Sequence, residues 1–487
     1  MIYNKTNLNF NKETTTVVMG IFSDEPHPPL LTQLENILGH KLEHLLKQLL
    51  ISTKYQEITP ILSLGKCPTP KICFVGLGPL AEYGLEKYRK AIGKLAKETK
   101  EDVTILIETF AVKPHSIHEL AAIGSEAIGL ATYQFPSYET KAKESKTVEF
   151  YLYSDSNIEA DIERGIIYAD ATNQARTLFN EPGNKLTPTE LAKRIAQFAL
   201  DHKLEYQVIE KSDMQQRKMG GILGVNRGSA EPPKIMVVKY QGQPVSEEIT
   251  ALIGKGLTFD TGGYCLKTAV GMKMSKGDMG GAASAFGAFK IAVCLQLPVN
   301  LLLVIPSTDN MVSATAIKPG DVLQMMNGKT VEVTNTDAEG RLILGDAITL
   351  AKELGASRLI DLATLTGAIV VALGGETTGA FTNNQNFLNN LIQSTTLTNE
   401  EIWPMPLFPR DQTSLRSSLV ADLDNAPVGK PGAIVAAAFL KEFVGETPWI
   451  HLDIAGTADT NEDHELGPKG ATGVMVRTIA KYLETLS

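Results

Sequence analysis

Seven charged residues sit where ordinary core strands carry no charge. Lys255, Asp260, Lys267 and Asp278 stand in the Gly-rich, small-residue stretch GKGLTFDTGGYCLKTAVGMKMSKGDMGGAA, residues 254–283. Asp337, Glu339 and Arg341 follow at alternating positions in NTDAEGRLILGDA, residues 335–347. In an extended segment, residues two apart project to the same side, so these three are expected to point into one pocket while Ala338 and Gly340 leave room around them. Four carboxylates converging on one site repel one another, and all stay ionised only with cations among them. Lysines and an arginine are one source of positive charge, and divalent metal ions are the stronger one. A carboxylate-rich donor set without cysteine or histidine suits Zn²⁺, Mn²⁺ or Mg²⁺. A solvated surface pair would explain any one of these residues as well, but not the full set in a Gly-rich strand-end context.

Such a site needs elements to hold it. From residue 181 onward, apolar runs at Ile235–Tyr240, Ala251–Ile253, Leu301–Ile305 and Leu359–Leu362 read as strands. Between and after them, Ala282–Val293, Ile343–Glu353 and Ile434–Val444 read as helices, so this half is expected to be the larger α/β domain, with a mixed central sheet. It opens after NEPGN (residues 180–184), where Thr187 is a helix N-cap, Pro188 the first helical residue and Glu190 the third after the cap. The segment Asn157–Leu178 reads as a helix. Upstream, Val17–Phe22, Ile72–Gly76 and Val103–Ile107 read as short buried strands of a small, mostly parallel α/β domain. There Leu30, Leu31, Leu34, Ile37, Leu38, Leu42, Leu45, Leu46 and Leu49 fall at steps of three and four, an amphipathic helix. Gly76-Leu77-Gly78 lacks the third glycine of a dinucleotide fingerprint and is expected to be a plain strand-to-helix turn. The expected division is therefore 1–155 for the N-terminal α/β domain, 156–180 for a connecting helix and 181–487 for the domain with the charged clusters.

Composition bounds the rest. The 487 residues are 43% apolar and 21% charged, which excludes wholesale disorder. Forty-six basic against fifty-five acidic residues give a net charge of −9, an argument against a surface built to grip nucleic acid. The apolar stretch Ile291–Ile305 is broken by Gln296, Pro298 and Asn300, and no signal-peptide h-region opens the chain, so neither a membrane span nor secretion is expected. The four cysteines, Cys67, Cys73, Cys265 and Cys294, have no zinc-site spacing and fit a reduced cytosol. Among the eight histidines there is no H-E-x-x-H pair. His40, His44, His115 and His118 read as surface or core residues, and His451 in WIHLDIAG is the one to follow.

At these residues the sequence resembles the leucyl aminopeptidase family of dinuclear metallopeptidases. NTDAEGRL at 335–342 is similar to the family signature, and GKGLTFDTGG, DMGGAA, DLATLTGA at 361–368 and WIHLDIAG at 449–456 follow it in the same order. From Lys255, the steps of 5, 12 and 23 residues to Asp260, Lys267 and Asp278 match the family spacing. The resemblance covers about residues 175–485, with an N-terminal α/β domain of a generic kind before it. It implies two divalent ions per subunit, Zn²⁺ and/or Mn²⁺ with Mg²⁺ possible. One would be held by Lys255, Asp260, Asp278 and Glu339, the other by Asp260, Asp337 and Glu339. It further implies a nucleophilic hydroxide shared by the ions, Lys267 stabilising the tetrahedral intermediate, and bicarbonate at Arg341 relaying the proton. Asn335, Ser275, Thr364, Leu365 and Gly367 would bind substrate, a peptide with a free N-terminus. A cytoplasmic homohexamer is implied as well, with the N-terminal domain in an oligomerising or regulatory role.

Some positions depart from the pattern. Ser275 stands where the family often has a methionine in the pocket for the first side chain, with Met272 and Met274 beside it as packing residues. That puts leucine preference in question, not the peptidase chemistry. Tyr264, Cys265 and Thr268 sit where the family varies, and Cys265 reads as a small packing residue. Two other functions fit less well. A two-metal phosphohydrolase would use clustered carboxylates but explains neither the lysine ligand nor the signature. DNA binding would rest on the run Lys87, Arg89, Lys90, Lys94, Lys97 and Lys100, which lies at helical spacing, is interrupted by acids and reads better as a solvated helix face.

Overall fold

The computed structural model describes all residues except 11, 26–28, 39–41, 49, 112, 141–146, 431 and 487. The chain forms two compact units, residues 1–170 with 462–468, and residues 171–461 with 469–487. The division falls inside the helix Glu159–Asn180.

The first unit is a six-stranded sheet in the order Ile2–Lys5, Phe150–Tyr153, Val103–Leu106, Thr16–Phe22, Lys71–Gly78 and Ile58–Leu62. All neighbours run parallel except Ile58–Leu62 against Lys71–Gly78. Its inner strands are buried along nearly their whole length, which is why they read as unbroken apolar runs rather than as alternating ones. The leucine-rich stretch is two helices, Pro29–Leu38 and Leu42–Lys47, and residues 39–41 between them, with His40, lie outside the described set. Gly76-Leu77-Gly78 is the end of a strand, and the helix Leu85–Glu98 starts only after an intervening 3₁₀ turn. The basic run lies on that helix, except Lys100 beyond its end. Its cations are paired locally: Lys87 with Glu82, Arg89 and Lys90 with Glu86, Lys94 with Glu98, and Lys97 with the His464 and Gly467 carbonyls.

The second unit is built on a nine-stranded mixed sheet. Its centre is four parallel strands in the order Trp449–Asp453, Arg358–Ala363, Thr250–Gly254 and Asn300–Asn310. Lys234–Gln241 and Glu205–Ile209 extend one side antiparallel, Thr377–Thr382 and Glu401–Pro404 extend the other, and Gly256–Asp260 pairs with the end of Asn300–Asn310. Parallel strands covered on both faces need apolar residues at every position, and Ala251, Leu252, Ile253, Leu359, Ile360 and Leu362 are all fully buried. The helices Gly280–Cys294, Gly340–Glu353 and Gly432–Val444 pack on this sheet and enclose the stretches expected from the apolar spacing. The predicted cap is present: Thr187 caps Pro188–Asp201, its hydroxyl accepting the Glu190 N–H at 3.3 Å. Among the described residues no helix is long and apolar enough to cross a membrane.

Candidate active site

Open parallel sheets bind ligands beyond the carboxyl ends of their strands, where chain ends and loops converge. Lys255 follows directly on Thr250–Gly254, Asp260 ends Gly256–Asp260, Thr364 follows Arg358–Ala363 and Asp453 ends Trp449–Asp453. These strand ends open on a cavity of about 330 Å³.

Asp260 is buried and fixed before any ligand arrives. Its Oδ1 accepts the Gly262 N–H and the Asn310 Nδ2–H, both at 2.8 Å, and its Oδ2 lies 2.6 Å from Lys267 Nζ. Lys267 also pairs with Asp337. The chain returns from Asp260 to Lys267 through Gly262 and Gly263, both at positive φ. A Cβ at Gly262 would lie 2.5 Å from the Cys265 carbonyl and 2.9 Å from Asp337 Oδ1, so only glycine lets this turn close on the acid opposite.

Asp337, Glu339 and Arg341 do reach one cavity, but not along a strand. Asn335 Oδ1 accepts the Asp337 N–H at 2.8 Å, and Thr336 Oγ1 bonds Gly262 O and Cys265 N at 2.6 and 2.8 Å. The side chains thereby draw the backbone into a turn. Glu339 is the N-cap of the helix Gly340–Glu353, and Arg341 lies in its first turn. The expected extended alternation is corrected to a turn running into a helix.

Lys255 Nζ lies 2.8 Å from Asp278 Oδ2 and 2.9 Å from Glu339 Oε1, and donates to Thr364 O at 3.2 Å. A Cβ at residue 340 would meet Lys255 at 2.6 Å, so Gly340 admits the lysine to the helix start. Burial disfavours the Lys255 charge, but Asp278, Glu339 and Asp260 outweigh it and hold the ammonium well above its ordinary pKa. Burial also pushes Asp278 up to about 8, Lys255 pulling against it and Glu339 and Asp260 adding to it. A dication among the acids would reverse the balance at Lys255 and favour the neutral amine. Thr364 Oγ1 donates to Asp278 Oδ1 at 2.7 Å and fixes its rotamer.

The donor set fits metal ions. Carboxylate oxygens of Asp260, Asp337 and Glu339 all lie within 4.8 Å of one another, and Glu339 Oε2 is buried with no hydrogen-bond partner. A buried carboxylate oxygen left bare is costly, and a cation is the natural partner for it. Arg341 shows the complementary feature. Its Nη1 donates to Asn425 O at 2.7 Å, while its buried Nε has no partner, a free donor suited to a small oxyanion. Burial lowers its pKa to about 10, against the opposing pull of Glu339, Asp453 and Asp424.

The cavity lining contains Lys255, Asp260, Lys267, Asp278, Asn335, Asp337, Glu339, Arg341, Thr364, Leu365 and Gly367. It does not contain Ser275, whose hydroxyl donates to Gly271 O at 3.0 Å in a buried position. Leu365 N–H is already given to Asp453 Oδ1 at 3.1 Å. His451 is fully buried, its Nδ1 2.6 Å from Asp361 Oδ1, and it lies outside the cavity lining. Two lining or supporting residues had no sequence signal. Asn425, fully buried, bridges Thr334, Asn335 and Arg341, and Lys430 lines the cavity from an exposed turn.

The sequence profile of the cytosol aminopeptidase family's catalytic domain matches residues 173–480, and that of its N-terminal domain matches residues 18–142. Solved relatives agree over nearly the whole chain. The cytosol aminopeptidase from Coxiella burnetii is 29% identical, with TM-score 0.84, covering 99% of both chains. The bottromycin maturation enzyme BotP is 28% identical, with TM-score 0.84, covering 97% of this chain and 99% of its own. Its structure in complex with Mn gives TM-score 0.85 at the same identity and coverage. Because the catalytic-domain match alone takes in well over half of the chain, this protein belongs to the cytosol aminopeptidase family and is a metallo-aminopeptidase.

Proposed function

We propose that the enzyme releases N-terminal residues from peptides, with Lys255, Asp260, Asp278 and Glu339 holding one divalent ion and Asp260, Asp337 and Glu339 the other. The observation that carries this assignment is the convergence of four carboxylates, one with a bare buried oxygen, at the carboxyl ends of the central strands. The Mn complex of BotP supports Mn²⁺ as one ion, while Zn²⁺ and Mg²⁺ suit the same donors. When bound, the ions polarise the scissile carbonyl and acidify the attacking water.

The chain's own groups supply the rest. Lys267 Nζ, fixed by Asp260 and Asp337, offers a cation to negative charge developing on the carbonyl oxygen. The guanidinium of Arg341, held by Asn425 and with its Nε free, would hold a bicarbonate that could supply the proton relay, since the described lining residues include no histidine. Asn335, Thr364, Leu365 and Gly367 line the path of the substrate backbone. Family membership supports a cytoplasmic homohexamer with the N-terminal domain in an oligomerising or regulatory role.

Substitution separates the roles. Lys267→Ala and Arg341→Ala are expected to retain metal and lose about 10²–10³-fold in turnover, the scale for removing one oxyanion donor. Asp260→Ala is expected to lose metal as well. Equal metal loss in all three, measured by elemental analysis after gel filtration, would overturn the assignment.

A further inference from the structure

One cation of the cavity has no task in the reaction above. Lys430 lines it from the turn between Leu423–Asp424 and the helix Gly432–Val444. The other cations of the lining have tasks in that reading: Lys255, paired with Asp278 and Glu339, as a metal ligand, Lys267, paired with Asp260 and Asp337, toward the carbonyl oxygen, and Arg341 toward bicarbonate. Lys430 is exposed and forms no ion pair or hydrogen bond with any described residue.

The turn carrying it is anchored. Asn425 at its base is fully buried and bonded to Thr334 and Asn335, Pro427 is buried, and a Cβ at Gly432 would stand 3.0 Å from Ala368. Lys430, the exposed cation of the lining, lies at its mouth, while Asp260 and Glu339 are buried at the floor. A substrate whose free amine goes to the ions this floor would hold presents its other end, a carboxylate in a short peptide, to the mouth. Two or three extended residues span about 7–10 Å, a length comparable to a cavity of this volume. A longer peptide carries its terminal carboxylate out of reach.

We infer that Lys430 pairs with the free C-terminal carboxylate of the substrate, so that the enzyme prefers di- and tripeptides. The inference rests on the aminopeptidase reading and names the substrate class of that same site.

The experiment compares leucyl-glycine and leucyl-glycyl-glycine, each with its C-terminal amide, in wild type, Lys430→Gln and Lys430→Arg, with Mn²⁺ and constant bicarbonate. The wild-type enzyme is expected to favour the free acids about 5-fold in kcat/KM through KM, near 1 kcal/mol at 1.4 kcal/mol per tenfold. Lys430→Gln brings the acid-to-amide ratio close to one, Lys430→Arg keeps it, and high salt shrinks it in the wild type. An unchanged ratio in Lys430→Gln, or no acid preference in the wild type, overturns the inference while leaving the aminopeptidase reading intact. Failure of the wild type to cleave any of the four peptides or leucine amide overturns both.

Discussion

Asp346 lies one turn beyond Arg341 on the same helix, fully buried, and its carboxylate accepts the N–H of Ile222 at 3.0 Å and of Met326 at 2.9 Å. Burial pushes its pKa up to about 7, although these amides and that of Gly221 favour the charged form. A carboxyl whose pKa is higher in the folded than in the unfolded state binds its proton more tightly when folded. Its stabilising contribution is therefore full below the ordinary aspartate range and is lost as pH rises toward 7. Asp346→Asn, which cannot titrate, is expected to lack this pH dependence, so that its stability relative to wild type rises as pH goes from the ordinary aspartate range toward 7. Thermal midpoints across this range check it, and parallel curves for the two proteins would refute it. At this scale the sequence was legible wherever charge stood in an apolar, glycine-rich background, as at Asp260, Asp278 and Glu339. Asn425 and Lys430 carry no such contrast, because an asparagine and a lysine in a polar loop resemble any solvated turn. Their placement depends on contacts with segments some 60 to 90 positions away in the chain.

The elements that position the site came from two kinds of pattern. Continuous apolar runs marked the central strands, since two covered faces require them. The period-two reading of Asp337, Glu339 and Arg341 placed the right residues together for the wrong reason. Three polar positions at alternate places do not distinguish a strand from a turn closed by Asn335 and Thr336, and only the apolar Leu342-Ile343-Leu344 that follow disclose the helix. The Gly262 turn offers a direct test of positioning. Gly262→Ala introduces strain at φ +83° and a Cβ 2.5 Å from the Cys265 carbonyl, whereas Gly65→Ala meets the same strain at φ +80° with nothing within 4 Å. Strain alone costs about 1–2 kcal/mol. Gly262→Ala is expected to weaken metal binding at least ~10-fold and Gly65→Ala to leave it unchanged, as read by metal titration. Equal affinities would mean that the turn does not hold Asp260 and Lys267 in place.

At the scale of the whole molecule, the two family domains account for most of the chain, yet the assembly had no signature in composition. Interfaces between subunits are only modestly more apolar than ordinary surface, so a sequence does not announce them. Light scattering is expected to give a particle of six chain masses, and a monomer would count against the proposed hexamer. Metal-dependent release of an N-terminal residue is the central activity proposed for the enzyme. The measurement that tests it most directly is hydrolysis of unblocked leucine amide after chelation and again after adding Mn²⁺. Activity that vanishes with chelation and returns with Mn²⁺ is the expected result, and chelated enzyme that still cleaves at the full rate would contradict it.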